Sequence, residues 1–179
     1  ISGVDSSTTS TIELLKYVGP GYESYAYKYV TGNGTYSFTN LPVGNYKIAV
    51  AAEGYVPNSA QYRIESNLTH NFAMSKYAFT NQPAGGTVGY NERHTVNWVT
   101  NFTPVKQELV RYSSAGSVVQ TQSLSAGAFQ AGLPYMTGGY YYRIRAYYDS
   151  TSYIESDKIY VTPDRYFSPN PQYGNTEED

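Results

Sequence analysis

The feature that most constrains the fold is the segment from Thr35 to Tyr55, which reads TYSFTNLPVGNYKIAVAAEGY. Side chains of a β-strand alternate between its two faces, so an apolar residue at every second position predicts a strand with one buried face. Pro42 and Gly44 predict a turn between two such strands. The residues that share a face by this rule are Tyr36 and Phe38 before the turn, and Tyr46, Ile48 and Val50 after it.

The same alternation recurs at short intervals, and no stretch of ten residues shows a helical period. The segments TIELLKY, YAYKYV, QYRI and NFAM each predict a strand. We therefore expect an all-β fold in which residues 1–76 form one β-sandwich. Its expected core residues are Ile12 and Leu14, Tyr25, Tyr27 and Tyr29, Tyr62 and Ile64, and Phe72 and Met74.

Four segments of this first region carry a family resemblance: ISG, TIELL, GTYSFTNLPVGNYKIAVAAEGY and NFAM. Together they resemble the carboxypeptidase regulatory-like family, a transthyretin-type (prealbumin-like) β-sandwich. The loop after the first strand, VDSSTTS, is shorter than is usual in that family. The resemblance implies a structural or accessory role more often than a catalytic one.

A second region, residues 77–163, begins with FTNQPAGG, whose proline and paired glycines predict a linker or a turn. HTVNWVT places Val96 and Trp98 on one face, KQELVRY predicts a charged strand, and YYYRIRAYY with DKIYVTP predicts a closing pair of strands. The order of these segments is typical of an immunoglobulin-like sandwich. The region resembles fibronectin type III domains and also the Ser/Thr-rich cell-wall β-sandwich family, and the sequence does not choose between them.

Residues 164–179, DRYFSPNPQYGNTEED, contain two prolines and an acidic end without any periodicity. Such a segment predicts an extended polar tail rather than a folded element. Its aromatic residues Tyr166, Phe167 and Tyr173 are the candidates for docking the tail on its own domains or on a neighbouring copy.

Composition disfavours several function classes. Charged residues make up 15% of the chain and the net charge is −2, so no basic stripe would neutralise nucleic acid phosphates. No apolar run approaches the roughly 18 residues of a membrane span, and no signal-like leader precedes Ile1, so we expect a mature or excised soluble segment. The 22 tyrosines are typical of secreted β-proteins and predict an extracellular location. Sequons for N-glycosylation occur at Asn33, Asn67 and Asn101.

Catalytic and metal-binding patterns are weak. His70 and His94 lie in different regions, the chain has no cysteine, and no G-x-S-x-G motif occurs. Glu155 and Asp157 would share a strand face at i, i+2, but an exposed strand commonly carries such a pair, and a calcium site using them with Asp149 lacks closely spaced ligands. We predict no enzyme activity and no cofactor.

Sandwiches of the collagen-adhesin type can form an isopeptide bond between a buried lysine and an asparagine beside an acid. Lys16, Asn71 and Glu53 are the residues that could take those roles here.

The strand around Ile144 offers the best binding surface. Tyr141, Arg143, Arg145 and Tyr147 alternate to one face, and Tyr142, Ile144 and Ala146 to the other. If the second set faces the core, the first is an exposed strip suited to sugars or to a protein partner, although ordinary cross-strand pairing explains it as well.

These observations predict a non-catalytic structural or adhesive protein of a cell surface, a self-assembling subunit of a fibre or stalk. Its partners would be other copies of itself, docked by strand addition through the tail or the short first strand. The alternative is a glycan-binding accessory module of a polysaccharide-degrading enzyme.

Overall fold

The computed structural model describes residues 1–89, 91–135 and 138–164, and these residues form an all-β fold without helices. The chain divides into two compact units, the first running from Ile1 to Tyr77 and the second beginning at Ala78. The expected tail residues Tyr166, Phe167 and Tyr173 lie outside the described residues.

The first unit is built on one antiparallel sheet of four strands in the order β2-β1-β3-β4. Its inner face carries the alternating residues of the central strands, and Ile12, Leu14 and Tyr46 have no exposed surface. The prediction that the alternating apolar residues of β1 and β3 face the core is therefore confirmed. The strands are β1 (Thr9–Tyr17), β2 (Tyr22–Thr31), β3 (Gly44–Ala52) and β4 (Asn58–Ile64).

Irregular segments cover this sheet and close the core. Phe72 and Met74 are buried there, and an isolated parallel bridge joins Ser2 to Ala73. Tyr36 and Phe38 pack against the core with their rings 5.9 Å apart, but residues 34–39 form no strand. The prediction of a strand before the turn is therefore wrong, whereas the prediction that Tyr36 and Phe38 face the core is confirmed.

The chain start is held within its own unit. The amino group of Ile1 donates a hydrogen bond to the carbonyl of Gly34 at 2.7 Å, and Val4 is buried in the core. Gly3 lies so close to the carbonyl of Met74 that an added Cβ would sit 2.3 Å from that oxygen. This contradicts the expectation that the first strand is free to dock on a neighbouring copy.

The tyrosines of β2 are not core residues, which corrects a second expectation. Tyr27 and Tyr29 are 51% and 70% exposed, whereas Ala26 and Val30 of the same strand pack against the core. The register shifts at Tyr25, which has no partner on β1 and instead meets the ring of Tyr46 edge-on at 6.0 Å. A β-strand has two faces, and here the small and branched side chains take the inner one.

The second unit is a sandwich whose larger sheet has the order β10-β9-β12-β13, with antiparallel pairing throughout. Its strands are β9 (Lys106–Tyr112), β10 (Val118–Leu124), β12 (Tyr141–Tyr147) and β13 (Tyr153–Glu155). Three smaller pairs complete the unit: β5 (Phe79–Asn81) with β8 (Val99–Thr100), β7 (His94–Asn97) with β11 (Gln130–Leu133), and β6 (Gly86–Val88) in parallel with β14 (Val161–Pro163). The segment expected as a linker or a turn supplies strand β5 and the first residue of β6, and its proline lies between the two strands.

The core of the second unit lies around Trp98, which is 2% exposed and packs with Val96 as predicted. Its indole N–H donates to Oε1 of Gln107 at 2.8 Å. The amide of Gln107 in turn donates to the carbonyls of Ala126 at 2.7 Å and Ala128 at 2.8 Å. KQELVRY forms strand β9 as predicted, and most of its residues are buried despite their charges.

Candidate interaction surfaces

The strip predicted on β12 lies on the outer face of the larger sheet, and it is covered. Tyr141 and Tyr147 are only 6% and 8% exposed, and the side chains of Arg143 and Arg145 are 26% and 16% exposed. The opposite set, Tyr142, Ile144 and Ala146, is buried as well. The expectation of an exposed tyrosine and arginine strip is therefore wrong.

Cross-strand partners explain why the strip is covered. Arg145 stands between Glu108 on β9 and Glu155 on β13, and its Nε donates to Glu155 at 2.8 Å. Its terminal nitrogen donates to the hydroxyl of Tyr112 at 2.5 Å, and that hydroxyl donates to Glu155. Burial, together with the hydrogen bond to Glu155, raises the pKa of Tyr112 to about 12.

A second group of partners surrounds Glu108. Its carboxylate accepts a hydrogen bond from the hydroxyl of Tyr147 at 2.8 Å and pairs with Lys106 at 2.5 Å. Burial alone would raise the pKa of Glu108, but these donors outweigh it and lower the pKa. The ammonium of Lys106 also lies 4.7 Å from the centre of the Tyr147 ring. These contacts cover Tyr147, and Tyr141 is buried as well, so neither ring offers an exposed face to a sugar.

Among the described residues, strand β10 is one of the two edges of this sheet, and its composition is unusual. Every residue from Val118 to Ser123 is exposed, and the sequence between Arg111 and Arg143 contains no charged residue and no histidine. Valine, threonine and glutamine side chains fit strand pairing, and nothing here repels a second strand. The sequence reasoning missed this edge because it searched for chemical groups, although the charge-free stretch can be read directly from the sequence.

The other edges of the two larger sheets carry charges. Strand β2 contains Glu23 and Lys28, β4 contains Arg63, and β13 is a short strand that contains Glu155. Charged residues and short strands are the usual means by which proteins protect a sheet edge from unwanted pairing. Among these edges, β10 is therefore the one best suited to strand addition.

The outer face of the first sheet carries a shallow groove of about 250 Å³. Its lining includes Ala49 and Ala51 on β3, Thr11 and Glu13 on β1, and Ser59 on β4. A larger cavity of about 720 Å³ lies at another place in the first unit, between residues 36–43 and 64–70, and reaches Leu14 and Ile48 of the core. Sequence reasoning predicted neither cavity, because both depend on how segments pack.

The structure separates the remaining candidate residues. His70 packs its ring against Phe72 at 4.5 Å, while Nε2 of His94 lies 3.1 Å from the carbonyl of Ala84. Strand β13 ends at Glu155, so Asp157 does not share a strand face with it, contrary to the expectation. Asp149 accepts hydrogen bonds from the backbone N–H groups of Thr151 at 2.7 Å and Ser152 at 2.6 Å, which lower its pKa to about 2. No group of three metal-ligating side chains occurs in the part of the chain that the structure describes.

The residues considered for an isopeptide bond do not form a buried group, since Asn71 and Glu53 are exposed. Of the sequon asparagines, Asn33 and Asn67 are exposed and Asn101 is half-buried. The side-chain oxygen of Asn33 accepts a hydrogen bond from the N–H of Val4 at 3.1 Å, and that of Asn101 accepts one from the N–H of Ala78 at 2.9 Å. Within the described ranges there is no helix that could span a membrane.

Comparison with known proteins identifies no family for this chain. No family model and no curated protein matches the chain. A solved structure described as "Biofilm associated protein - BSP domain" is similar to it at 21% sequence identity, with a TM-score of 0.31. The match covers 92% of this chain and 26% of that one, so the chain spans about a quarter of the protein to which it is similar.

Proposed function

We propose that this chain is a non-catalytic structural or adhesive protein of a cell surface, and that it associates with copies of itself through strand β10. The observation that supports the proposal is the exposed edge of Val118–Leu124, which lies in a stretch without any charged residue. An edge strand presents unpaired backbone N–H and C=O groups, and a second extended strand satisfies them.

Two copies related by a twofold axis would pair β10 with β10 in antiparallel orientation. An axis through Thr121 places that residue opposite itself and Gln120 opposite Gln122, in the part of β10 that follows its register shift between Val118 and Gln120. Each of these pairs is uncharged, so none of them repels, and amide and branched side chains contribute favourably across strands. The two four-stranded sheets would then form one continuous sheet.

The strength of this association follows from its size. Pairing of one seven-residue strand with another buries less surface than the roughly 1,200 Å² that stable complexes bury. We therefore expect association that depends on protein concentration, strengthened where many copies are held close together on a surface. Growth into a fibre requires a second contact on each copy in addition to β10.

Size-exclusion chromatography with light scattering, over a range of concentrations, tests the proposal. We expect the full chain to show dimers or larger species at high concentration. Thr121→Lys places two like charges opposite each other at the axis and should give monomers. Ser24→Lys on the exposed edge strand β2 is the matched control, and it should leave association unchanged.

The emission of Trp98 shows whether Thr121→Lys still folds, because this is the sole tryptophan and it is buried in the second unit. A strictly monomeric wild-type chain would overturn the proposal. Association that survives Thr121→Lys in a folded protein would also overturn it.

A further inference from the structure

The groove on the outer face of the first sheet has a floor of small side chains between two taller walls. Ala49 and Ala51 of β3 form the floor together with Thr11 of β1. Pro57 and Ser59 stand on the β4 side. A flat, solvated sheet needs no such depression for its stability, because alternating polar residues would cover it.

Two exposed tyrosines of β2 are the cross-strand neighbours of two residues that line the groove. Tyr29 pairs with Thr11 and Tyr27 pairs with Glu13 in the β1–β2 register. The hydroxyl of Tyr27 donates to Oε1 of Glu13 at 2.8 Å, which holds its ring beside the groove. Two large aromatic side chains on one strand face, each at least half exposed, form an apolar wall that faces water.

Two opposite charges line the same groove. Glu13 keeps its second carboxylate oxygen available beyond its bond to Tyr27, and Lys47 lies one pair further along β3. Within the described residues no ion pair joins Lys47 to Glu13, although both line the groove. The groove thus offers a hydrogen-bond acceptor, Glu13, and a donor, Lys47, whose charges sum to zero.

We propose that this groove binds a neutral polysaccharide, with one sugar ring seated on Ala49 and Ala51 and its flat face against Tyr29. A pyranose ring has apolar C–H faces and hydroxyl groups around its edge. The tyrosine rings match the apolar faces of the sugar. The carboxylate of Glu13, the ammonium of Lys47 and the hydroxyl groups of the groove match the hydroxyl groups at the sugar's edge. The paired opposite charges favour a neutral sugar over an acidic or a basic one.

The size of the groove agrees with this ligand. At about 250 Å³ it is smaller than the roughly 300–1,000 Å³ pockets that enclose drug-sized molecules. It is also open to solvent rather than enclosed, so it holds part of a chain rather than a whole free molecule. The binding is independent of association through β10 and adds an adhesive contact to it.

Affinity electrophoresis of the full chain tests the proposal in native gels that contain dextran, yeast mannan, laminarin, arabinoxylan or galactan. We expect at least one of these neutral polysaccharides to retard the protein. Tyr29→Ala should weaken the retardation about five- to tenfold, the loss expected for one aromatic contact. Tyr29→Phe should retain it, and Ala51→Leu should abolish it by filling the floor.

Phe129→Ala is the matched control, since Phe129 is a comparably exposed aromatic residue of the second unit. Phe129→Ala should bind like the wild type. Thr121→Lys should also bind like the wild type, and this result would show that polysaccharide binding does not depend on self-association. Absence of retardation by every polysaccharide named would overturn the proposal. Unchanged retardation of Tyr29→Ala would overturn it, and if that variant also lost self-association, the face would be a contact between copies instead.

Discussion

Replacement of Gln107 by leucine should destabilise the second unit strongly although the two side chains have similar size. Gln107 is 1% exposed, and its amide connects the indole of Trp98 to the loop that contains Ala126 and Ala128. Leucine fills the space but accepts and donates no hydrogen bond. The buried partners of the amide then lose their contacts and cannot regain them from water.

The size of the effect follows from those partners. The indole N–H of Trp98 is deeply buried, and a buried donor left without an acceptor costs about 1–3 kcal/mol. The carbonyl of half-buried Ala128 adds a part of that cost, whereas exposed Ala126 can turn to water. The apolar gain of leucine offsets about 1 kcal/mol. We expect a net loss of roughly 1–3 kcal/mol in the free energy of unfolding.

Urea unfolding followed by tryptophan emission measures this loss in the second unit alone, because Trp98 is the sole tryptophan. With a denaturant slope of about 2 kcal/mol/M, the unfolding midpoint should fall by roughly 0.5–1.5 M. Gln122→Leu is the matched control, since Gln122 lies on the exposed strand β10 and surface changes stay within about 0.5 kcal/mol. If Gln107→Leu costs no more than Gln122→Leu, the buried amide does not stabilise the core as argued.

Two further changes test the packing of the second unit. Folding raises the pKa of Tyr112 from 10.0 to about 12, so the stabilising effect of this residue is complete below pH 10 and is lost as the pH rises toward 12. Over that pH range the unfolding midpoint of the wild type should therefore fall more steeply than the midpoint of Tyr112→Phe. Equal slopes would contradict the network with Glu155. Gly85→Ala should lower the melting temperature of the second unit, because the added Cβ would lie 2.1 Å from the carbonyl oxygen of Tyr160. Gly127→Ala is the control and should leave the melting temperature unchanged, since no atom lies within 4 Å of a Cβ added there. Equal melting temperatures for the two variants would contradict the close approach of the Gly85 and Tyr160 backbones.

Much of the fold could be predicted because alternation reports directly on strands. Ile12 and Leu14 are buried as a pair on β1, and Val96 with Trp98 forms the centre of the second core. Alternation does not tell which face of a strand is buried. In β2 the tyrosines alternate regularly, yet Ala26 and Val30 are the residues that take the inner positions.

The outer strip of β12 shows a second limit of the sequence. Tyr112 and Glu155 are 43 residues apart, and each reaches Arg145 only through strand pairing. An isolated strand with exposed tyrosine and arginine looks like a binding surface, whereas the same strand between Glu108 and Glu155 is a satisfied, covered face. The groove and the free edge likewise depend on which strands become neighbours. The periodicity within a single segment carries no information about that pairing.

Single-cysteine scanning of β10 tests the central claim most directly, because the natural chain has no cysteine to interfere. In an antiparallel pair, opposite Cα atoms lie about 4.5–5.5 Å apart, within the range that a disulfide spans. Under mild oxidation, one cysteine at a time from Val118 to Leu124, we expect disulfide-linked dimers that peak sharply at or next to Thr121. The control Ser24→Cys on β2 should remain monomeric. Equal, low crosslinking at every β10 position would contradict assembly through this edge.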